Sequence, residues 1–138
     1  ATQHVREQIL AAAATAALSS AAGLNWASDF KNALKAAGAG HKVVMLDFTA
    51  VWCVNCHKLD RTTYVDPSVV ALLKNVVPVH IDYDKEPKLA KQYKAQALPV
   101  IVFIDEKQHE LGRISTYVDA KTFIAKATPI LAKAKKRK

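Results

Sequence analysis

The apolar run from Val43 to Phe48 leads directly into Cys53-Val54-Asn55-Cys56, which holds both cysteines of the chain. No other stretch constrains the fold as strongly. Rich in β-branched and aromatic residues, the run predicts a buried strand. Nothing after Cys53 breaks a helix, so one is predicted from Cys53 to about Thr63. A cysteine at that helix start faces unpaired backbone N–H groups and the positive end of the helix dipole, both of which favour thiolate over thiol. Cys53 is therefore the expected nucleophile. Cys56, one turn further in on the same side, is the expected resolving thiol, able to attack a mixed disulfide on Cys53 and release the product.

Two other chemistries use paired cysteines. A structural zinc site wants four ligands; there is no second cysteine pair, and His41, His57 and His80 fall in different predicted elements. Cys53-Val54-Asn55-Cys56-His57 also satisfies Cys-x-x-Cys-His, the c-type haem attachment signature. Haem further requires a pocket and usually a second axial ligand, and the one methionine, Met45, lies inside the strand run. A strand feeding straight into the motif fits a redox dithiol, with no metal and no cofactor expected. His57 is read as a solvent-facing helix residue whose protonated form would favour the thiolate. A carboxylate on the strand, Asp47, is costly to bury, so its pKa is expected to rise.

The pattern Met45-Leu46-Asp47-Phe48-Thr49-Ala50-Val51-Trp52-Cys53-Val54-Asn55-Cys56, with Leu98-Pro99 before a second apolar run, resembles the thioredoxin superfamily. Within it the chain is similar to the C-terminal thioredoxin-like domains of DsbD transmembrane reductases and their small soluble relatives, which share Trp-Cys-Val-x-Cys and a following Thr-x-x-x-Asp-Pro-x-Val, here Thr62/Thr63 to Val69. The resemblance covers about Trp26 to Pro129. It implies an α/β thioredoxin-like fold, a mixed sheet between helices. It also implies that Asp47 serves proton transfer at Cys56, and that Pro99 is cis, setting the backbone of Leu98 beside Cys53 as an edge for an extended substrate. Trp52 is expected to pack beside the sulfurs. The lysine that often accompanies the aspartate in thioredoxins is read as replaced by Pro78.

In chain order, residues 1–23 form an Ala-rich segment, read either as an extra helix, on alanine's propensity, or as a signal-like core, against which Glu7 argues. The thioredoxin-like domain is expected over 24–132. A helix capped by Ser28 or Asp29 carries Trp26, Phe30, Ala33 and Ala37, and Gly38 and Gly40 end it. Asp66-Pro67 starts another helical turn. Val76 to Tyr83 predicts a parallel strand with Pro78 at its beginning, Glu86 to Lys94 a helix, and Val100 to Ile104 a central strand. Leu111 to Tyr117 is its hairpin partner, with Gly112 as a bulge. Asp119 caps a last helix that Pro129 bends or interrupts.

The 138 residues suit one domain, and 51% hydrophobic content excludes general disorder. Five of the positive charges behind the net +8 lie in the tail 133–138, read as solvated. A nucleic-acid or anionic-membrane role is the alternative, weakened by the lack of interleaved aromatics, and no nucleic-acid partner is expected. A lone cysteine pair is there for chemistry, not for stapling a scaffold. No nucleotide-binding loop or flavin site is present, so an upstream protein dithiol must supply reducing equivalents to act on disulfide-containing proteins. The resemblance implies a reductase or electron relay outside the cytoplasm, with a membrane redox partner. Oxidase or isomerase chemistry, or a protein-binding module, are the alternatives; oligomeric state is not readable.

Overall fold

The computed structural model describes residues 23–137. The Ala-rich segment at 1–22 lies outside the described residues. Helix α1 spans Phe30–Gly40, strand β1 Val43–Thr49 and helix α2 Val54–Arg61. A 3-10 turn at Thr63–Val65 leads to α3, Pro67–Leu72. Then come β2 (Val76–Asp82), α4 (Pro87–Gln92), β3 (Val100–Ile104), β4 (Glu110–Ile114) and α5 (Ala120–Arg137). The strands form one mixed sheet in the order β2-β1-β3-β4. β1 runs parallel to β2 and antiparallel to β3, and β3 is antiparallel to β4. This is the thioredoxin-like fold.

β1 is apolar except for Asp47 and its last residue, Thr49, because both of its faces are covered. Val44, Leu46 and Phe48 pack with Ala33 and Ala37 of α1, Ala90 of α4, and Val100, Val102 and Ile104 of β3. Val43 and Met45 join the opposite core, with Leu59 of α2, Tyr64, Val69 of α3, Ile101, Phe103, and Phe123 and Ala127 of α5. Alternation along β1 therefore places Asp47 on the second face, under α2.

Several boundaries differ from expectation, each for a local reason. Trp26 precedes α1 rather than riding on it, because Asp29 is the N-cap, its side chain accepting from the Asn32 N–H at 2.7 Å. α1 also runs through Gly38 and Gly40 and ends on His41, which takes the left-handed conformation (φ 51°) usually left to glycine. The helix α4 stops at Gln92, and Lys94 follows with φ 54°.

Pro78 is the third residue of β2, not the first, and is tolerated because β2 is an outer strand. Its carbonyl faces outward and accepts from the Ala27 N–H at 2.8 Å, so the missing donor also faces away from β1. The register shift between β3 and β4 falls at Phe103/Ile104, where Leu111 is the extra residue; Gly112 sits opposite Phe103. A Cβ on Gly112 would stand 2.7 Å from Ile130 Cγ1, so glycine is there for close approach of α5. α5 continues through Pro129 to Arg137. Proline forfeits one helical hydrogen bond, while Phe123, Ala127 and Ile130 hold the helix to the sheet on both sides of it.

Candidate active site

Where β1 ends, a turn delivers Cys53 to the N-cap of α2. The Cys53 N–H donates to the Ala50 carbonyl at 3.1 Å, and Cys53 Sγ accepts from the Cys56 N–H at 3.1 Å. The sulfur thus takes one of the N–H groups that a helix start leaves unpaired, a contact that strengthens when the sulfur is a thiolate. Cys53 and Cys56 are joined in a disulfide, with Cα atoms 5.3 Å apart. Cys53 retains 5% of its surface and Cys56 none, so an incoming group meets Cys53 first.

Around the disulfide is an apolar rim. Val51, Trp52 and Val54 are 82%, 61% and 74% exposed, the large hydrophobic residues most open to solvent among those described. The Trp52 indole Nε1 donates to Asp84 Oδ2 at 2.8 Å and its ring meets Tyr83 edge-on. Leu98 and Tyr83 pack against the small cluster of Ala50, Cys53 and Cys56, and the Leu98–Pro99 peptide is cis. His57 turns back to its own loop, with Nε2 at 2.9 Å from the Val51 carbonyl.

Asp47 is fully buried, and neither of its oxygens completes a hydrogen bond. Burial pushes its carboxyl up to about 7 despite the opposing pull of His80. Tyr64, buried against it, has its hydroxyl pushed up as well, first by burial and then by the Asp47 charge. The residue paired with Asp47 across the β1–β2 ladder is His80; Pro78 pairs with Met45. A titratable side chain thus stands beside Asp47 on β2: His80 Nε2 lies 3.4 Å from Asp47 Oδ2 and 3.0 Å from Asp60 Oδ1. Trp26 stacks on the His80 ring, centroids 3.5 Å apart and planes 18° from parallel.

Asp47, Asp60 and His80 each bring one potential ligand atom within 4.8 Å of the others. Two carboxyl groups and an imidazole this close together can pass a proton from one to the next. Sequence reasoning missed His80 and Asp60. The usable signal was the count back from Phe48 and from Ile81, which pair in the ladder.

The family described as thioredoxin-like domain matches residues 30–128. The chain is 37% identical to the thiol:disulfide interchange protein DsbD of Haemophilus ducreyi over 90 residues, covering 61% of this chain and 16% of that protein. With DsbD of Pseudoalteromonas atlantica it shares 34% over 109 residues, 75% of this chain and 18% of the relative. The chain thus spans less than a fifth of these relatives' length. Among solved structures, DsbH oxidoreductase superposes with a TM-score of 0.71 at 25% identity, covering 80% of this chain and 86% of that one. The oxidised C-terminal domain of Neisseria meningitidis DsbD gives 0.60 at 23% identity, covering 71% and 90%, a likeness of fold.

Proposed function

The chain belongs to the thioredoxin-like family, and from that premise we propose that it is a thiol:disulfide oxidoreductase that works in the reducing direction, relaying electrons from an upstream protein dithiol to disulfide-containing proteins. The observation that carries this reading is the Cys53–Cys56 disulfide at the start of α2, with Cys53 the less buried of the two and the exposed Val51, Trp52 and Val54 beside it in sequence. The likeness to DsbD proteins supports the direction and an extracytoplasmic setting with a membrane redox partner. Among the described residues no helix is long and apolar enough to cross a membrane.

In the reduced chain, Cys53 thiolate attacks a partner disulfide. The partner's S–S bond breaks, a Cys53–partner disulfide forms, and the second partner sulfur leaves as a thiolate that takes a proton from water. Cys56 then gives its proton to the Asp47 carboxylate and attacks Cys53 Sγ. The Cys53–Cys56 disulfide forms, and the first partner sulfur leaves as a thiol once protonated. Two electrons have moved to the partner. Leu98, Pro99 and Trp52 border the sulfurs and are proposed to seat the partner segment.

The deciding experiment is trapping. Cys53→Ser should abolish turnover of a protein disulfide, and Cys56→Ser should accumulate a covalent complex released by added thiol. Turnover that survives Cys53→Ser would end the catalytic reading and leave a binding module. The equilibrium reduction potential of the pair decides direction: a value at or below about −220 mV supports the reductant, and one near about −120 mV reverses it.

A further inference from the structure

We propose that His80 is a positioning residue for the resolving step, a relay that carries the Asp47 proton between the buried carboxyl and solvent past Asp60. The proposal rests on the reading of Cys56 as the resolving thiol and Asp47 as its proton acceptor. Each time Cys56 loses or regains a proton through Asp47, that proton must reach water. Asp47 itself has no route, because its side chain is 1% exposed and neither oxygen completes a hydrogen bond.

His80 supplies one. A single atom, Nε2, faces both carboxylates, 3.4 Å from Asp47 Oδ2 and 3.0 Å from Asp60 Oδ1. The side chains of His80 and Asp60 are 34% and 36% exposed, so the trio steps from a dry carboxyl to the surface within two contacts. Imidazole can accept at one nitrogen and release at the other, and its charge normally changes in the physiological range. The ring is held in plane by Trp26, stacked on it at 3.5 Å, and Trp26 in turn meets Tyr64 edge-on at 5.3 Å. Trp26 is itself anchored through its neighbour Ala27, which bridges to Val79 on the outer edge of β2.

β2 contributes His80, α2 contributes Asp60, and the 3-10 turn contributes the Tyr64 hydroxyl, which, like the Asp47 oxygens, completes no hydrogen bond. β3 contributes the uncharged Ile101 opposite Asp47. Among the described residues no lysine or arginine acts on Asp47, and His80 is the group whose positive charge, when it carries one, favours the carboxylate. During resolution the Cys56 S–H proton passes to Asp47, the Cys56–Cys53 bond forms and the Cys53–partner bond breaks. The proton on Asp47 then moves to His80 Nε2, and the imidazolium, flanked by two carboxylates, releases a proton to water.

The test is a stopped-flow reaction of the reduced chain with an aryl disulfide whose thiolate absorbs in the visible. One equivalent is released when Cys53 is attacked and a second when Cys56 resolves the adduct. His80→Gln should leave the first phase unchanged and slow the second by on the order of tenfold to a hundredfold at neutral pH, within the range of acid–base contributions. Added imidazole should restore it in a saturable manner in His80→Gln but not in Asp47→Asn, and the double variant should be no slower than Asp47→Asn alone. A second phase in His80→Gln with the parent rate and pH profile, beside a slowed Asp47→Asn, would reject the relay and leave the Asp47 reading intact. Slowing that imidazole fails to restore would make His80 a packing partner of Trp26 and likewise overturn the proposal. A parent second phase in Asp47→Asn would instead overturn the underlying assignment of Asp47.

Discussion

Replacing Asp47 with asparagine should make the oxidised chain more stable in alkali and leave the acid side close to unchanged, apart from a constant offset. Asp47 is buried without a completed hydrogen bond, and its carboxyl is pushed from 3.8 up to about 7, chiefly by loss of solvation. The folded chain therefore holds this proton more tightly than the unfolded chain. The stability that follows is fully present below about 3.8 and is lost as pH rises through about 7. At about 1.4 kcal/mol for each tenfold change in proton affinity, that displacement corresponds to about 4 kcal/mol across the whole window. Asparagine does not titrate and keeps the shape.

Equilibrium denaturant unfolding of both oxidised proteins at pH values from 3 to 9 gives the difference in ΔG at each pH. Any fixed cost of burying an amide drops out of its slope. The difference should climb by about 4 kcal/mol in favour of the variant, most of it between pH 4 and 7. A difference that is flat with pH would show that Asp47 titrates alike in folded and unfolded chains, and would refute the argument from burial.

Gly112→Ala should destabilise the fold by about 1–3 kcal/mol in the same unfolding assay, since its Cβ would press on Ile130 at 2.7 Å; an Ile130→Ala background should remove most of that penalty. Asp66→Ala should cost about 1 kcal/mol in thermal unfolding, because Asp66 Oδ1 caps α3 by accepting from the Ser68 and Val69 N–H groups, whereas Asp66→Asn should retain most of the stability.

The central strand and the cysteine pair at a helix start were readable because each is written locally, and the cis Leu98–Pro99 step was readable only through the resemblance to thioredoxins. A strand covered on both faces shows as a near-continuous apolar run, as Val100–Ile104 does without a break and Val43–Phe48 does apart from Asp47. Where packing overrides a local preference, reading the chain residue by residue failed. Pro129 stays inside α5 because Ala127 and Ile130 are seated in the core on either side of it, and His41 closes α1 in a glycine-like conformation that no composition announces. The link from Asp47 to His80 was hidden for another reason. It depends on the parallel register of two strands separated by a helical crossover, and a shift of two residues exchanges His80 for Pro78. The Ala-rich segment falls outside the described residues and its reading stands as an expectation.

Pro78 and Ala27 have one more consequence, which concerns self-association. β2 is an outer strand of the sheet, and a bare outer strand invites another molecule's strand to dock and grow a shared sheet. Here that border is occupied at Val79 by the bridge from Ala27, and Pro78 carries no N–H to offer a newcomer. On the far border β4 is only five residues long and carries Glu110 and Arg113, paired at 2.6 Å. Both flanks of the sheet thus discourage polymerisation, so a molecule proposed to seat disulfide-bearing segments of other proteins can be adhesive at its sulfur-bearing end while remaining inert along its sides.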